Sequence, residues 1–153
     1  SQGSAVAISP NLLLTNCHLL DGYDRIGLVK ENKRIPVRIH RAERKFDRCV
    51  LWANSGNLQA VPGYRAFAEI RIGETVYSLG SPHGIENTFA DGLLSGKRWR
   101  EGQPYLQTSA PISPGSSGGG LFDRAGQLLG ITTGVIGEGT NLGFAIPIDS
   151  FLK

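Results

Sequence analysis

Three residue types that together perform nucleophilic acyl transfer stand in separate stretches of this chain. Ser117 lies in the run Pro114-Gly115-Ser116-Ser117-Gly118-Gly119-Gly120. A serine hydroxyl is a weak nucleophile until a base, a fixed backbone and an anion-stabilising pocket surround it. Gly115 leaves its amide free to turn toward a developing oxyanion, and the glycines after Ser117 let a carbonyl approach with no Cβ in the way. Taken alone, the run fits an ordinary glycine-rich turn equally well.

His18 closes Thr15-Asn16-Cys17-His18, directly after the apolar Leu12-Leu13-Leu14, where a short strand gives way to a loop. Asp47 heads the β-prone Arg48-Cys49-Val50-Leu51. The chain order is therefore His18, Asp47, Ser117. In a Ser-His-Asp triad the imidazole takes the serine proton, the carboxylate holds the imidazole tautomer, and backbone amides bind the oxyanion. Here those amides would be Gly115 and Ser117, with Ser116 as a third. Other aspartates read as turn formers: Asp21 and Asp24 in the turn after His18, and Asp91 before Gly92. His40 and His83 have no comparable setting and read as surface or packing residues.

The elements that must position these residues are short strands. Strand-like segments lie near 4–8, 11–15, 25–30, 34–40, 48–53, 74–80, 87–95, 104–108, 119–122, 127–136 and 142–147. Turn signals separate them, among them Asp21-Gly22, Pro62-Gly63, Asp91-Gly92, Arg124-Ala125-Gly126 and Gly137-Glu138-Gly139. The spacing predicts an all-β barrel or sandwich with no interior helix. Residues 54–65 read as a linker between two halves, and Asp149 to Lys153 as the first turn of a helix. No internal repeat and no low-complexity tail is evident.

Several motifs, in order, resemble the protease domain of the HtrA/DegP family within the chymotrypsin-like clan. Gly3-Ser4-Ala5-Val6-Ala7-Ile8-Ser9-Pro10 and Leu14-Thr15-Asn16-Cys17-His18 are similar to its opening strands and histidine motif. Gly80-Ser81-Pro82-His83-Gly84 resembles its mid-domain segment. Gln107 to Gly119 resembles its nucleophile loop, and Gly143-Phe144-Ala145-Ile146-Pro147 its last strand. The resemblance implies two six-stranded antiparallel Greek-key barrels with the site in the cleft between them. His18 and Asp47 would come from the first barrel (about residues 1–58) and Ser117 from the second (64–147), with 148–153 opening a terminal helix. It also implies an endopeptidase that takes a protein or peptide substrate through an acyl-enzyme.

Thr132-Thr133-Gly134 would be the edge that pairs with the substrate backbone. The pocket for the residue before the cut bond would be walled by Pro111, Ile112, Thr132, Gly143, Phe144 and Ala145. None is charged, so a small or medium apolar side chain is expected there, and not arginine or lysine. The competing reading is a protease fold that captures peptides without cutting them. Four positions depart from relatives' patterns. Ser116 stands where digestive relatives carry the aspartate that pairs with a freed amino terminus, so that activation is not expected. Ser109 and Pro111 replace an aspartate and an alanine of the HtrA loop, and Cys17 an asparagine. The family builds its trimer from a segment that precedes this sequence, so oligomeric state is not carried over.

Bulk properties narrow the classes. The chain has 153 residues, 21 glycines, 8 prolines, no methionine and a net charge of +3. That length suits one compact domain with a real core. The lack of any methionine, an initiator included, points to a processed or trimmed chain, and three readings stay open: a trimmed piece, one domain of a larger protein with additional domains outside this sequence, or a minimal relative. Basic residues are spread through Lys30–Lys45 and Lys97–Arg100 without stacking aromatics, which argues against a nucleic-acid surface. No stretch has the length of a membrane span. No metal or cofactor is expected, since Cys17, His18 and Cys49 lack zinc spacing. Cys17 and Cys49 flank the proposed His18–Asp47 pair closely enough for a disulfide, but two small buried thiols are the expected state. Family resemblance alone favours an extracytoplasmic or organellar location.

Overall fold

The computed structural model describes residues 3–23, 25–54, 56–80, 88–112, 115–135 and 142–152. Within these residues the strands form two antiparallel sheets. The first holds β1 (Val6–Ala7), β2 (Leu12–Thr15), β3 (Ile26–Lys30), β4 (Lys33–Glu43) and β5 (Arg48–Ala53), in spatial order β1-β2-β5-β4-β3. The second is a closed barrel of β6 (Thr75–Gly80), β7 (Thr88–Arg100), β8 (Gln103–Thr108), β9 (Gly120–Phe122), β10 (Leu128–Val135) and β11 (Gly143–Pro147), in cyclic order β10-β11-β8-β7-β6-β9. A short helix, α1 (Ile148–Phe151), follows. The strands sit where the sequence places them, and the second sheet is the expected six-stranded barrel. The first remains a half-barrel of five strands, because β1 pairs only with β2 and β3 only with β4 among the described residues.

The continuous apolar run in β2 has a packing reason. A strand between its own sheet's interior and a neighbouring layer must be apolar on both faces, since successive side chains point to opposite sides. Leu13, Cys49, Leu51 and Ala53 pack with Leu20 and Leu58 inside the first sheet. Leu14 and Val50 point the other way and join Val6, Leu128, Ile131, Ile146, Ile148 and Phe151. That shared core fuses the two sheets and seats α1, which Arg41 further ties down through the Phe151 carbonyl. A third cluster, including Val76, Leu94, Leu106, Leu121 and Leu129, fills the barrel itself.

Connections are tight where chemistry allows. Glu31 and Asn32 both have positive φ and join β3 to β4; Glu101 and Gly102 do the same between β7 and β8. These are mirror-image two-residue hairpins, whose twist matches that of the strands. The segment read as a linker is strapped to the first sheet: Leu58 donates to Pro10 O at 3.1 Å and Val61 to Ala7 O at 3.0 Å. One expected turn is absent. Asp91-Gly92 lies within the unbroken β7, and a Cβ on Gly92 would overlap the Ala110 backbone. Glycine is needed there for close backbone approach, not for a reversal. Among the described residues before α1 the helical turns are 3₁₀ turns, at Cys17–Leu20, Arg44–Phe46 and Phe67–Glu69.

Candidate active site

Two of those 3₁₀ turns carry the proposed base and its orienting acid. β2 ends at Thr15, and His18 stands in the Cys17–Leu20 turn. The Arg44–Phe46 turn ends on Asp47, whose φ of 57° and ψ of 34° place it in the left-handed region, immediately before β5. Register sets the two beside each other, since Thr15 pairs with Cys49 across β2 and β5. Asp47 then grips His18 twice. Its Oδ1 accepts the His18 backbone N–H at 2.8 Å, and its Oδ2 lies 2.6 Å from His18 Nδ1. Asn16, fully buried, donates from Nδ2 to the Asp47 carbonyl at 3.4 Å. The carboxylate therefore fixes both the ring and the backbone that carries it.

Cys17 and Cys49 form a disulfide across the same strand pair, with Cα atoms 5.0 Å apart. This corrects the expectation of two buried thiols. Each cysteine has a partner of suitable geometry only because β2 and β5 are neighbours in the register that also joins His18 to Asp47.

Ser117 arrives from the barrel on the loop before β9. The loop is braced from both sheets. Ser4 donates its amide to Ser117 O at 2.9 Å and its hydroxyl to Gly115 O at 3.1 Å. Gly118 N–H donates to Thr132 O at 2.7 Å, and Thr132 Oγ1 returns a bond to Ser116 O at 3.0 Å. Gly115 and Gly118 have φ near 90°, and a Cβ on Gly118 would overlap the Ser4 carbonyl oxygen. No other residue type satisfies both the angle and that contact. Ser113 and Pro114, at the loop's entrance, lie outside the described residues, as do Asp24, His83 and the turn at Gly137-Glu138-Gly139.

β10 runs past both Asp47 and Ser117. Its pairing with β11 slips between Thr132 and Gly134, leaving Thr133 in a bulge. Bulges re-aim side chains, and this one lets Thr133 Oγ1 donate to Asp47 Oδ2 at 3.4 Å. The next residue, Gly134, has φ of 117°, and a Cβ placed on it would stand 3.6 Å from Ser117 Oγ. Consecutive residues of one strand thus touch the acid and the serine. Among the described residues no hydrogen bond joins Ser117 Oγ to His18, which is half-exposed.

The expected pocket residues divide. Pro111, Ile112 and Thr132, together with Ser116 of the nucleophile loop, line a cavity of about 180 Å³ bordered by β6 and β7. Ile112 Cδ1 occupies the space over Gly143, where a Cβ would come within 2.5 Å of it. Phe144 instead meets Tyr105 edge-on at 6.5 Å, and Ala145 is buried in the barrel core. Ser109 accepts the Leu93 amide at 3.0 Å and so serves the loop's shape. Of the other acids and histidines, Asp21 pairs with Arg44, Asp91 lies on β7 opposite Tyr77, and His40 lies at a β4 bulge near Trp52. Sequence reasoning missed Asn16 and the contact of Thr133 with Asp47. For Asn16 the usable signal was polarity: a polar residue directly after the apolar run of β2 must find a partner once buried, whereas Thr133 carried no such signal.

A closed antiparallel barrel beside a half-barrel, with the serine loop on one and the histidine–aspartate pair on the other, is the chymotrypsin-like class of fold. A family model described as a trypsin-like peptidase domain matches residues 3–131, and the chain belongs to that family. Within it the chain is HtrA-like. It is 34% identical to the serine endoprotease DegS of Haemophilus influenzae over 96% of this chain and 47% of that protein. It is 30% identical to the putative serine protease HhoA of Synechocystis sp. over 97% of this chain and 40% of that protein. Among solved structures, the HtrA-type protease AlgW with a decapeptide superposes with a TM-score of 0.90 at 33% identity, covering 99% of this chain and 50% of that one. The chain thus spans half or less of the length of these relatives.

Proposed function

We propose that this domain is a serine endopeptidase in which Ser117, His18 and Asp47 act as nucleophile, general base and orienting acid. Ser117 Oγ attacks a peptide carbonyl while His18 Nε2 takes its proton. The same proton then passes to the leaving amine, and water hydrolyses the acyl-enzyme by the reverse sequence. Asp47, bonded at His18 Nδ1, keeps that nitrogen protonated and leaves Nε2 as the base. Amides of Gly115, Ser116 and Ser117 are the candidate oxyanion donors. The observation that carries this reading is the convergence on β10, where Thr133 bonds Asp47 and Gly134 abuts Ser117.

The cavity beside Ser116 supports a preference for a small or medium apolar side chain before the cut bond. Among the described residues its lining includes no charged side chain, and Ile112 forms part of its wall. A buried cation there would lack a partner and cost several kcal/mol, on the order of 2–5. Of the expected edge, Thr132 is withdrawn, since its backbone is already bonded to the Gly118 amide and the Gly119 carbonyl and it is buried; Thr133-Gly134 is read as the part of the strand that pairs with substrate. The Cys17–Cys49 disulfide supports work in an oxidising compartment, and relatives are named as periplasmic and as chloroplastic. A fluorophosphonate probe tests the reading directly. Labelling of the folded protein that vanishes in Ser117→Ala is the expected result. Folded protein that takes no label would instead favour a silent peptide-binding module.

A further inference from the structure

The barrel–half-barrel junction continues past Gly134 into a second cavity, of about 270 Å³, that the triad does not use. Three segments meet there: the 3₁₀ turn before Asp47, the β7–β8 hairpin, and the Thr133-Gly134 edge of β10. Its position against that edge places it beside Ser117, within reach of any peptide strand laid along β10. Phe46 and Tyr105 supply partly buried aromatic walls. One ring is already polarised, because Arg48 Cζ lies 4.7 Å from the Phe46 centroid and Lys45 Nζ 5.4 Å.

The polar groups are lopsided. Lys45 and Arg100 stand exposed at the rim, and among the described residues neither has a carboxylate partner. Among the described residues Glu101 is the single acid in the lining. Behind the wall, Gln103 is 2% exposed; its Oε1 accepts from Arg48 Nη1 at 2.7 Å. Its Nε2 finds no acceptor, and Arg48 Nε finds none either. Buried donors left without acceptors are costly and call for explanation. Burial pushes the Tyr105 phenol above its ordinary value, so it too remains a donor. Two cations, a phenol and one unanswered amide donor, Gln103 Nε2, around one space ask for an anionic, acceptor-rich guest of side-chain size.

We propose that this cavity is an acid-selective subsite, taking an aspartate or glutamate side chain of the bound peptide close to the cleaved bond. The inference rests on the endopeptidase reading for the course of the peptide along β10. Two exposed cations, opposed by Glu101 in the lining and by Asp47 behind Thr133, give modest rather than absolute discrimination, strongest at low salt.

The test uses Ser117→Ala and fluorescent peptides carrying Val before the scissile position. Glu, Gln or Lys is placed in turn at each of four positions on either side. At one position, in low salt, Glu should bind roughly three- to tenfold tighter than Gln, and Lys more weakly still, on the scale of two solvent-exposed charge pairs. Adding Lys45→Ala and Arg100→Ala should bring Glu and Gln within about twofold at that position. In protein that retains Ser117, the same two changes should leave fluorophosphonate labelling unaltered. Equal binding of Glu and Gln at every position, or no peptide binding at all, overturns the subsite even if the probe labels. Charge-selective binding without any labelling upholds the subsite and overturns catalysis, so the two failures are separable.

Discussion

Replacing Cys17 and Cys49 together by alanine tests the part of the site whose energetics follow most directly from the covalent structure. The disulfide closes a sequence separation of 32 residues. In the chain-entropy description, a loop of that size restricts the unfolded ensemble by about 3.7 kcal/mol at 25 °C. Both cysteines are essentially buried, so losing two sulfurs adds a smaller packing cost, roughly 1 kcal/mol or more. Against a typical stability of about 5–15 kcal/mol, the combined loss is a large share. Urea unfolding of oxidised wild type, reduced wild type and the double variant separates the two contributions. Reduced wild type should lose roughly 3–4 kcal/mol with an altered slope, and the double variant somewhat more. The bond also clamps the turn that bears His18 to the start of β5 beside Asp47, so labelling of Ser117 by a fluorophosphonate should slow in the reduced protein even at temperatures where it stays folded. A stability change under about 1 kcal/mol on reduction would refute the reasoning, since the constraint would then be absent from the oxidised chain or already present in the unfolded one.

Three further outcomes follow from the site and its braces. Asp47→Asn should keep the fold but lower peptide turnover by about 10³–10⁴, because the amide no longer enforces the tautomer; the chymotrypsin triad is the handed-down measure of that effect, and steady-state kinetics with circular dichroism checks it. Gly118→Ala should destabilise by more than about 3 kcal/mol in urea unfolding, as the new methyl overlaps the Ser4 carbonyl at a φ that alanine avoids. Burial pushes the Glu74 carboxyl up, but hydrogen bonds from Arg65 and the Arg71 amide, with the Arg65 charge, outweigh it and hold the group below its ordinary 4.5. A depressed carboxylate stabilises the fold above its unfolded value and loses that contribution as pH falls through the folded one. Stability measured below about pH 4.5 should therefore fall more steeply in wild type than in Glu74→Gln.

Much of this was legible in the residues because the responsible forces are local. Strand alternation, the Arg124-Ala125-Gly126 turn and the left-handed glycines around Ser117 all express backbone geometry within a few positions. The Asp91-Gly92 pair shows where such reading fails. The same dipeptide that makes a turn elsewhere lies inside β7, because a distant backbone, at Ala110, leaves no room for a Cβ. Thr133 shows it again: nothing beside it in the chain foretells a bulge against β11 or a bond to Asp47.

By itself, then, the sequence determined which residues could do chemistry, the order in which they occur, and that short strands would carry them. Those properties depend on side-chain type and on local conformational preference. Only the tertiary structure decided that Cys17 and Cys49 are bonded, that Ala145 belongs to the core while Ile112 covers Gly143, and that Arg48 reaches Gln103 across the two sheets. Each of these is a contact between segments far apart in the chain. Such contacts are set by register, bulges and the packing of one sheet on another, and register is a property of two strands rather than of either alone.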